Sequence, residues 1–165
     1  MKRLFVMAFM AICLQGMTAQ STDKNLLGVW LMESMQYDGE KKIICGDEAG
    51  FVTLKYYGED GEYACVFFIR QSDGKYQMSE HEYGTYNYIN GVYSEMGRPA
   101  GGPDALVMVN KNTFKGRWFN RNDVWKKKND ISKKLLNYIL ETLRREHAIS
   151  SDELQRLIKK EVFCQ

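Results

Sequence analysis

Short turn signals that divide the chain into strand-like segments constrain its fold more than any other feature. Each signal lies between segments rich in aromatic and β-branched residues, which is typical of hairpins between antiparallel strands. The residues in these turns tolerate positive φ angles. Four such dipeptides occur: Asp38-Gly39, Asp60-Gly61, Asp73-Gly74 and Asn90-Gly91. The sequence therefore predicts an antiparallel meander in which consecutive strands are neighbours.

The number of predicted strands is eight or nine. A meander of that size has two exposed edges unless it closes, and closure into a barrel removes both edges. We therefore expect a mainly β protein built as an antiparallel up-and-down barrel. The predicted strands cover residues 27–37, 50–57, 62–70, 75–81, 83–89, 92–96, 104–109, 113–120 and 123–128.

The hydrophobic pattern becomes helical after residue 128. Leucine and isoleucine recur at helical spacing over 130–146 and again over 151–162. Ser150 and Glu153 have the spacing of a capping box, which supports a fresh helix start after a break. Because no Pro- or Gly-rich linker precedes the helices, we expect a C-terminal pair of α-helices packed on the barrel. The same amphipathic stripe could instead contact a protein partner.

The N-terminal segment has the pattern of a secretory signal peptide. Lys2 and Arg3 precede an apolar run from Leu4 to Leu14, and Met17-Thr18-Ala19 resembles a cleavage site. The run is shorter than the ~20 residues that a membrane-spanning helix needs. We expect a signal peptide over 1–19, a barrel over 20–128 and a helical extension over 129–165, in a secreted or periplasmic protein.

The charge balance argues against a nucleic-acid partner. Removal of Lys2 and Arg3 would leave 21 of the 23 basic residues against 21 acidic ones. The one dense basic run, Lys126 to Lys128, is explained by a strand end in solvent. We therefore expect neither nucleic-acid binding nor a transmembrane segment.

Three cysteines follow the predicted signal peptide: Cys45, Cys65 and Cys164. An exported compartment permits disulfides, and Cys45 with Cys65 is the more natural pair because it joins a long loop to a strand. Sequence does not fix connectivity, and buried free cysteine is common. The pattern is compatible with a Cys45–Cys65 bridge and with free thiols, and no pair has metal-ligand spacing.

The hairpin at Asn90-Gly91 predicts the main candidate site. A two-residue turn there places Tyr88 opposite Tyr93 and Tyr86 opposite Glu95, so these four side chains share a face. Inside a barrel, a carboxylate among tyrosines needs hydroxyls, water or a ligand to satisfy it. Alternatively, the tyrosines lie outside as cross-strand pairs and Glu95 is solvated. We favour the inward orientation.

Further interior residues are predicted in the same way. Phe114 and Trp118 share a strand face, and Gly116 between them either leaves space in a cavity or marks a bulge. A two-residue turn at Asp73-Gly74 would place His81 opposite Val66, and we expect the His81 side chain to point outward. A two-residue turn at Asp60-Gly61 would place on one interior face Val52, Leu54, Tyr56, Tyr63, Cys65, Phe67 and Ile69.

Gly28-Val29-Trp30 resembles the G-x-W signature of the lipocalin and calycin barrels, in which the tryptophan closes one end. With other segments over about residues 26 to 128, the chain resembles a family of exported lipocalin-like proteins of unknown function from Bacteroidales. The resemblance implies a barrel with a cavity, structural roles for Gly28, Trp30 and Trp125, and no assigned activity. The other segments are Leu54-Lys55, Asp60-Gly61, Gly84-Thr85-Tyr86, Tyr93-Ser94-Glu95 and Trp125-Lys126-Lys127.

These patterns favour ligand binding over catalysis. Glu80, His81 and Glu82 alternate between strand faces, so they cannot converge on one proton or metal, and no common catalytic motif is present in the sequence. We expect no enzyme activity, cofactor or metal. The leading function is a site for a small apolar or amphipathic ligand, formed by Tyr86, Tyr88, Tyr93, Glu95, Phe114 and Trp118.

The alternative function is protein interaction. In that case the barrel is filled by its own side chains, and the helical tail or the loop over 97–103 contacts the partner.

Overall fold

The computed structural model describes residues 23–89, 91–95, 98–99, 105–145 and 152–163. The segment over 1–19, Cys164 and Ser150 lie outside these residues. Of the loop over 97–103, only Arg98 and Pro99 are described.

Ten strands form one antiparallel sheet. Its order is β7-β6-β5-β4-β3-β1-β10-β9-β8, with β2 paired to β1. The sheet curves into a nearly closed barrel, and side chains near opposite ends of this order, such as Tyr93 and Phe114, lie in one buried cluster. The strands are β1 Gly28–Tyr37, β2 Ile43–Ile44, β3 Phe51–Tyr57, β4 Glu62–Arg70, β5 Tyr76–Ile89, β6 Val92–Glu95, β7 Arg98–Pro99, β8 Leu106–Asn110, β9 Thr113–Trp118 and β10 Arg121–Lys127. The predicted mainly β barrel with two C-terminal helices is confirmed.

β5 is a single strand of 14 residues, where the sequence predicted two strands over 75–81 and 83–89. Its first part pairs with β4 as far as Thr85, and its last part pairs with β6 from Tyr86 onward. Although Gly84 lies close to the predicted break, it pairs with Tyr63, and the chain continues as strand while its partner changes. His81 lies opposite Val66, as the sequence predicted, but the hairpin nearer its turn is one residue out of the predicted register, with Phe68 opposite Met78, and a shift between Val66 and Phe68 restores it.

The β3–β4 hairpin differs from the prediction by one residue. Its loop holds three residues, 59–61, because the Gly58 N–H donates a hydrogen bond to the Glu62 carbonyl oxygen at 2.8 Å. Gly61 has a φ of 81°, which glycine adopts without strain. Tyr57 therefore lies opposite Tyr63. A shift of one residue exchanges the two faces of a strand.

The predicted interior set around this hairpin is consequently wrong for β3. Val52 and Leu54 lie in the apolar cluster shared with the helices, and Tyr56 packs against that cluster. The cavity wall instead receives Thr53 and Lys55 from this strand. On β4 the prediction holds for Tyr63, Cys65 and Phe67, which face the barrel interior, whereas Ile69 is exposed.

The β9–β10 turn lies two residues earlier than the sequence predicted. Trp118 pairs with Arg121, so the turn consists of Phe119 and Asn120. Phe119 has a φ of 51° and its side chain is 83% exposed. A positive φ is uncommon for a bulky residue, and this turn therefore carries no sequence signal of the Asn-Gly type.

Two helices cover one outer side of the barrel. They are α1 (Lys133–Arg145) and α2 (Asp152–Ile158), and a π-helical turn follows over Lys159–Phe163. α1 begins later than the predicted residue 130 because the Ser132 hydroxyl caps it, accepting a hydrogen bond from the Leu135 N–H at 3.1 Å. The buried helix side chains form one cluster with the outer faces of β1, β3, β4 and β5.

Trp30 belongs to the aromatic cluster inside the barrel. It is fully buried, and its indole Nε1 donates to the Leu26 carbonyl oxygen at 2.7 Å. Its ring packs edge-on against Phe114 at a centroid distance of 4.8 Å, and Phe114 stacks on Trp125 at 5.6 Å. The two tryptophans thus belong to one aromatic stack, with Phe114 between them, in the barrel interior.

Candidate functional site

The barrel interior beyond this aromatic stack contains a cavity of about 480 Å³. It extends from the buried Trp125 to the partly exposed Trp118 and Arg121 beside the β9–β10 turn. Its wall takes side chains from all eight of the longer strands. A cavity of this size is within the usual range of small-molecule sites, about 300 to 1,000 Å³.

The wall combines apolar and polar side chains. Its apolar and aromatic members are Met32, Phe67, Tyr93, Ala105, Leu106, Phe114, Trp118 and Trp125. Its polar and charged members are Thr53, Lys55, Cys65, Glu82, Glu95, Arg117, Arg121 and Asp123. A bound molecule would therefore meet both ring faces and hydrogen-bonding groups.

Four of the six predicted site residues lie in this wall: Tyr93, Glu95, Phe114 and Trp118. The pairing of Tyr88 with Tyr93 and of Tyr86 with Glu95 is the one that the two-residue turn predicted. The other two predicted residues, Tyr86 and Tyr88, are not part of the wall. Tyr86 is buried against the Tyr57 ring at 4.8 Å, and its hydroxyl donates to the Gly58 carbonyl oxygen at 3.0 Å. Tyr88 is only partly buried, beside the same cluster.

Gly116 leaves space in the wall. The pairing of β9 with β10 continues through Gly116 and Asp123 without a shift, so the glycine does not mark a bulge in that ladder. A Cβ at this position would lie 3.5 Å from the Ala105 carbonyl oxygen and 3.6 Å from Trp125 Nε1, which are ordinary contacts. The absence of a side chain therefore enlarges the cavity rather than relieving a clash.

Lys55 and Glu95 form an ion pair inside the barrel, which the sequence did not predict. Lys55 Nζ lies 3.7 Å from Glu95 Oε2, and the side chains are 16% and 6% exposed. The ammonium group also lies 5.2 Å from the centre of the Trp125 ring and 5.4 Å from that of Tyr63, so ring faces attract it as well. The sequence did not predict Lys55 as an interior residue, because the one-residue register error placed its side chain on the outer face of β3. The two glycines at 58 and 61 were the available signal for a longer loop.

A chain of hydroxyl hydrogen bonds leads to the same carboxylate. The Tyr93 hydroxyl donates to Glu95 Oε2 at 2.6 Å, and the Tyr57 and Tyr93 hydroxyl oxygens are 3.1 Å apart. Because the single Tyr93 proton is used by Glu95, Tyr57 donates to Tyr93. Glu95 is thus satisfied by a hydroxyl and a cation, as a buried carboxylate requires.

Burial sets the protonation of the neighbouring groups. It raises the pKa of Tyr57 to about 12 and that of Cys65 to about 11, so both are neutral at pH 7. Burial lowers the pKa of Lys55, but the surrounding groups, Glu95 and Asp123 among them, outweigh burial and raise it. Lys55 is therefore a stable cation rather than a nucleophilic amine.

A second ion pair lies nearer the mouth of the cavity. Arg121 donates from Nε to Asp123 Oδ1 at 2.8 Å and from a terminal nitrogen to Asp123 Oδ2 at 3.0 Å. Asp123 is 4% exposed, so this two-point contact compensates a buried carboxylate. Arg117 instead turns toward Asp38, which its guanidinium contacts at 2.7 Å on the exposed side.

Thr53 supplies a polar group without a partner. Its side chain is fully buried in the cavity wall. Within the described part of the chain, its hydroxyl oxygen makes no hydrogen bond. Thr53 therefore adds one unpaired hydroxyl to the residues of the cavity wall.

Cys45 and Cys65 are free thiols in the structure, which is one of the two states that the sequence left open. Burial raises the pKa of Cys45 to about 11, with a smaller contribution from Asp123, whereas Cys65 lies among Lys55, Glu82 and Glu95. The two thiols thus face different parts of the interior.

The described residues contain no group of three or more histidine, cysteine, aspartate or glutamate side chains arranged to hold a metal ion. Across the same ranges, no helix is long and apolar enough to cross a membrane.

Comparison with known proteins finds a similarity at the level of the structure. No family model and no curated protein matches this chain. Among solved structures, the chain is similar to a lipocalin-like protein from Bacteroides uniformis, with 11% identity over 62% of this chain and 98% of that one, and a TM-score of 0.40. The barrel fold itself follows from the strand order and register of this chain.

Proposed function

We propose that this protein binds a small amphipathic molecule inside its barrel and catalyses no reaction. The observation that carries this proposal is the cavity of about 480 Å³ with its mixed wall. At the ~30 Å³ that one water molecule occupies in the liquid, the cavity has room for roughly fifteen non-hydrogen atoms. That is the size of a small metabolite or a short lipid.

The wall favours an amphipathic ligand over a wholly apolar one. Trp125, Phe114 and Trp118 offer apolar contact, whereas Thr53 and Lys55 present polar groups to the same space. A hydrocarbon would cover the partly exposed Lys55 ammonium group and would offer no partner to the Thr53 hydroxyl, which is already buried without one. A molecule with one polar end would satisfy them.

We further propose that the protein acts outside the cytoplasm. This rests on the charged head, apolar run and cleavage-like segment over residues 1–19.

The protein-interaction alternative has weaker support. The apolar side chains of α1 and α2 are buried against the barrel, so the helical stripe is already used within the molecule. The barrel is also not filled by its own side chains.

Native mass spectrometry of protein purified without denaturant tests the proposal. We expect the folded protein to carry a non-covalent mass that is lost after unfolding and refolding. Glu95→Gln should fold, as judged by circular dichroism, but retain less of this mass, because the charge paired with Lys55 is lost while the shape is kept. Glu40→Gln, at an exposed loop position, is the matched control and should behave like the wild type.

Two outcomes would count against the proposal. A protein that carries no additional mass, and that takes up none from an extract of small molecules, does not use the cavity as a binding site. Equal retention by the wild type and Glu95→Gln would remove Glu95 from the site.

A further inference from the structure

The polar side chains of the cavity wall that can still form a hydrogen bond indicate the chemistry of the ligand's polar end. Thr53 is fully buried in the wall, and its hydroxyl has no hydrogen-bond partner among the described residues. Buried hydroxyl groups are nearly always hydrogen-bonded in native proteins. Among the residues that line the cavity, Thr53 therefore holds a hydroxyl that a bound molecule could still pair.

Lys55 offers a second donor next to Thr53. The two residues are two positions apart on β3, so their side chains share a face and are separated by about 7 Å along the strand. The nearest carboxylate oxygen, Glu95 Oε2, is 3.7 Å from Nζ, which is too long for a hydrogen bond. The other neighbours are ring faces, which attract the charge without replacing an oxygen acceptor. The ammonium group can therefore still donate to a ligand.

The charges of the wall decide what kind of acceptor fits. Lys55 is balanced by Glu95, and Arg121 is balanced by Asp123. A ligand carboxylate bound to Lys55 would bring a second negative charge close to Glu95. A ligand ammonium group in the same place would be close to Lys55 itself. Either ion would lose its hydration without gaining a buried unused counter-charge, because Glu82, the remaining carboxylate of the wall, is exposed to water and accepts a hydrogen bond from the Tyr63 hydroxyl at 3.1 Å.

We infer that the ligand's polar end is uncharged and presents an oxygen acceptor, a carbonyl or a hydroxyl, to Thr53 and Lys55. This inference rests on the binding function proposed above and names its ligand class. The hydroxyl of Thr53 and the ammonium of Lys55 donate to this oxygen. The apolar body of the ligand lies against Trp125, Phe114 and Trp118.

Three probes with the same ten-carbon chain test the inference: 2-decanone, decanoate and decylamine. They are titrated at pH 7 into protein from which any co-purified molecule has been removed, and binding is followed by tryptophan fluorescence, since Trp118 and Trp125 lie in the wall. We expect the ketone to bind at least about tenfold more tightly than either ion, because a buried ion without a counter-charge is strongly disfavoured.

A matched pair of threonine variants tests the contact. Thr53→Val removes the hydroxyl at nearly constant volume and should weaken ketone binding about threefold to tenfold, the usual effect of one hydrogen bond. Thr113→Val is the control. Thr113 is also buried, but its hydroxyl oxygen is 3.2 Å from Lys126 Nζ and it does not line the cavity. Thr53→Val should fold at least as stably as the wild type, because it removes an unsatisfied buried group.

Each contrary result has a distinct meaning. If decanoate or decylamine binds as tightly as the ketone, the cavity binds ligands but the inferred neutral end is wrong. If the ketone binds equally to the wild type and to Thr53→Val, the assigned contact is wrong. If none of the three probes binds but the protein takes up another molecule from an extract, the inferred ligand class is wrong while the binding function stands. If it takes up nothing, both fail.

Discussion

Lys55 and Glu95 depend on each other inside the barrel. Both side chains are largely removed from water, at 16% and 6% exposure, and each supplies the charge that the other needs. Replacing one partner of a buried pair leaves an uncompensated charge, which is far more destabilising than replacing both. The pair therefore imposes specificity on the interior more than it adds stability.

A double-mutant cycle measures this dependence. Lys55→Met should lower the free energy of unfolding by about 3 to 5 kcal/mol at pH 7, because Glu95 is left buried without its cation. Adding Glu95→Gln should restore most of the loss, which gives a coupling of about 2 kcal/mol or more by urea denaturation.

The exposed pair Arg70 and Asp47 provides the comparison. Their side chains are 39% and 58% exposed, so the cycle with Arg70→Met and Asp47→Asn should give less than about 1 kcal/mol. Similar coupling in the two cycles would show that the Lys55–Glu95 pair is hydrated and not part of a buried site.

The residues of the site were predictable wherever a turn had an unambiguous signal. Asn90-Gly91 fixed the register that brings Tyr93 and Glu95 to one face. Thr53 and Lys55 were missed because the loop after β3 has three residues instead of two. The Asp60-Gly61 dipeptide fits both loop lengths, and only the additional Gly58 indicated the longer one, yet one residue exchanges the faces of the strand.

Among the secondary-structure elements, the existence of strands and helices was more predictable than their limits. Alternating and helical hydrophobic patterns identified the long strands and both helices. The turn at Phe119-Asn120 and the continuous β5 were missed. The turn has the bulky residue Phe119 at a positive φ, and β5 changes its pairing partner without any turn.

Removal of the helices tests their role as a structural layer. Truncation after Lys128 would expose the outer faces of β3 and β4, including Val52, Leu54 and Val66, which are fully or almost fully buried. We expect the truncated protein to aggregate or to elute as oligomers in size-exclusion chromatography, because a large apolar patch becomes exposed.

Truncation after Phe163 is the control, since it keeps both helices and should leave a monomer of unchanged stability. If the version that ends at Lys128 were equally monomeric and stable, the helices would be an independent element and not part of the core.

For the molecule as a whole, one half of the barrel interior is packed with aromatic rings and the other half contains the cavity. Around Trp30, Phe114 and Tyr57 the aromatic rings pack against one another, with centroid distances between 4.8 and 6.4 Å. Toward the β9–β10 turn the walls separate and enclose the cavity. The packed half stabilises the barrel, which allows the other half to remain open.

Trp30→Ala should therefore affect the stability of the entire fold. The substitution removes a fully buried ring that contacts Phe114, and we expect a loss of ~3 to 5 kcal/mol in the free energy of unfolding. Phe119→Ala, at a ring that is 83% exposed, should change it by less than about 0.5 kcal/mol. A loss below ~1 kcal/mol for Trp30→Ala, measured by chemical denaturation, would show that Trp30 does not close the barrel.

The three-residue β3–β4 loop also has an evolutionary consequence. Alternate residues of β3 belong to two different cores, Val52 and Leu54 to the one beneath the helices and Tyr57 to the one inside the barrel. Inserting or deleting a single residue at 59–61 would shift the β3–β4 register by one residue. The β3 side chains that now lie beneath the helices would then point into the barrel, and those inside would point toward the helices. Divergent descendants of this protein should therefore tolerate many substitutions in the loop while its length stays fixed by selection.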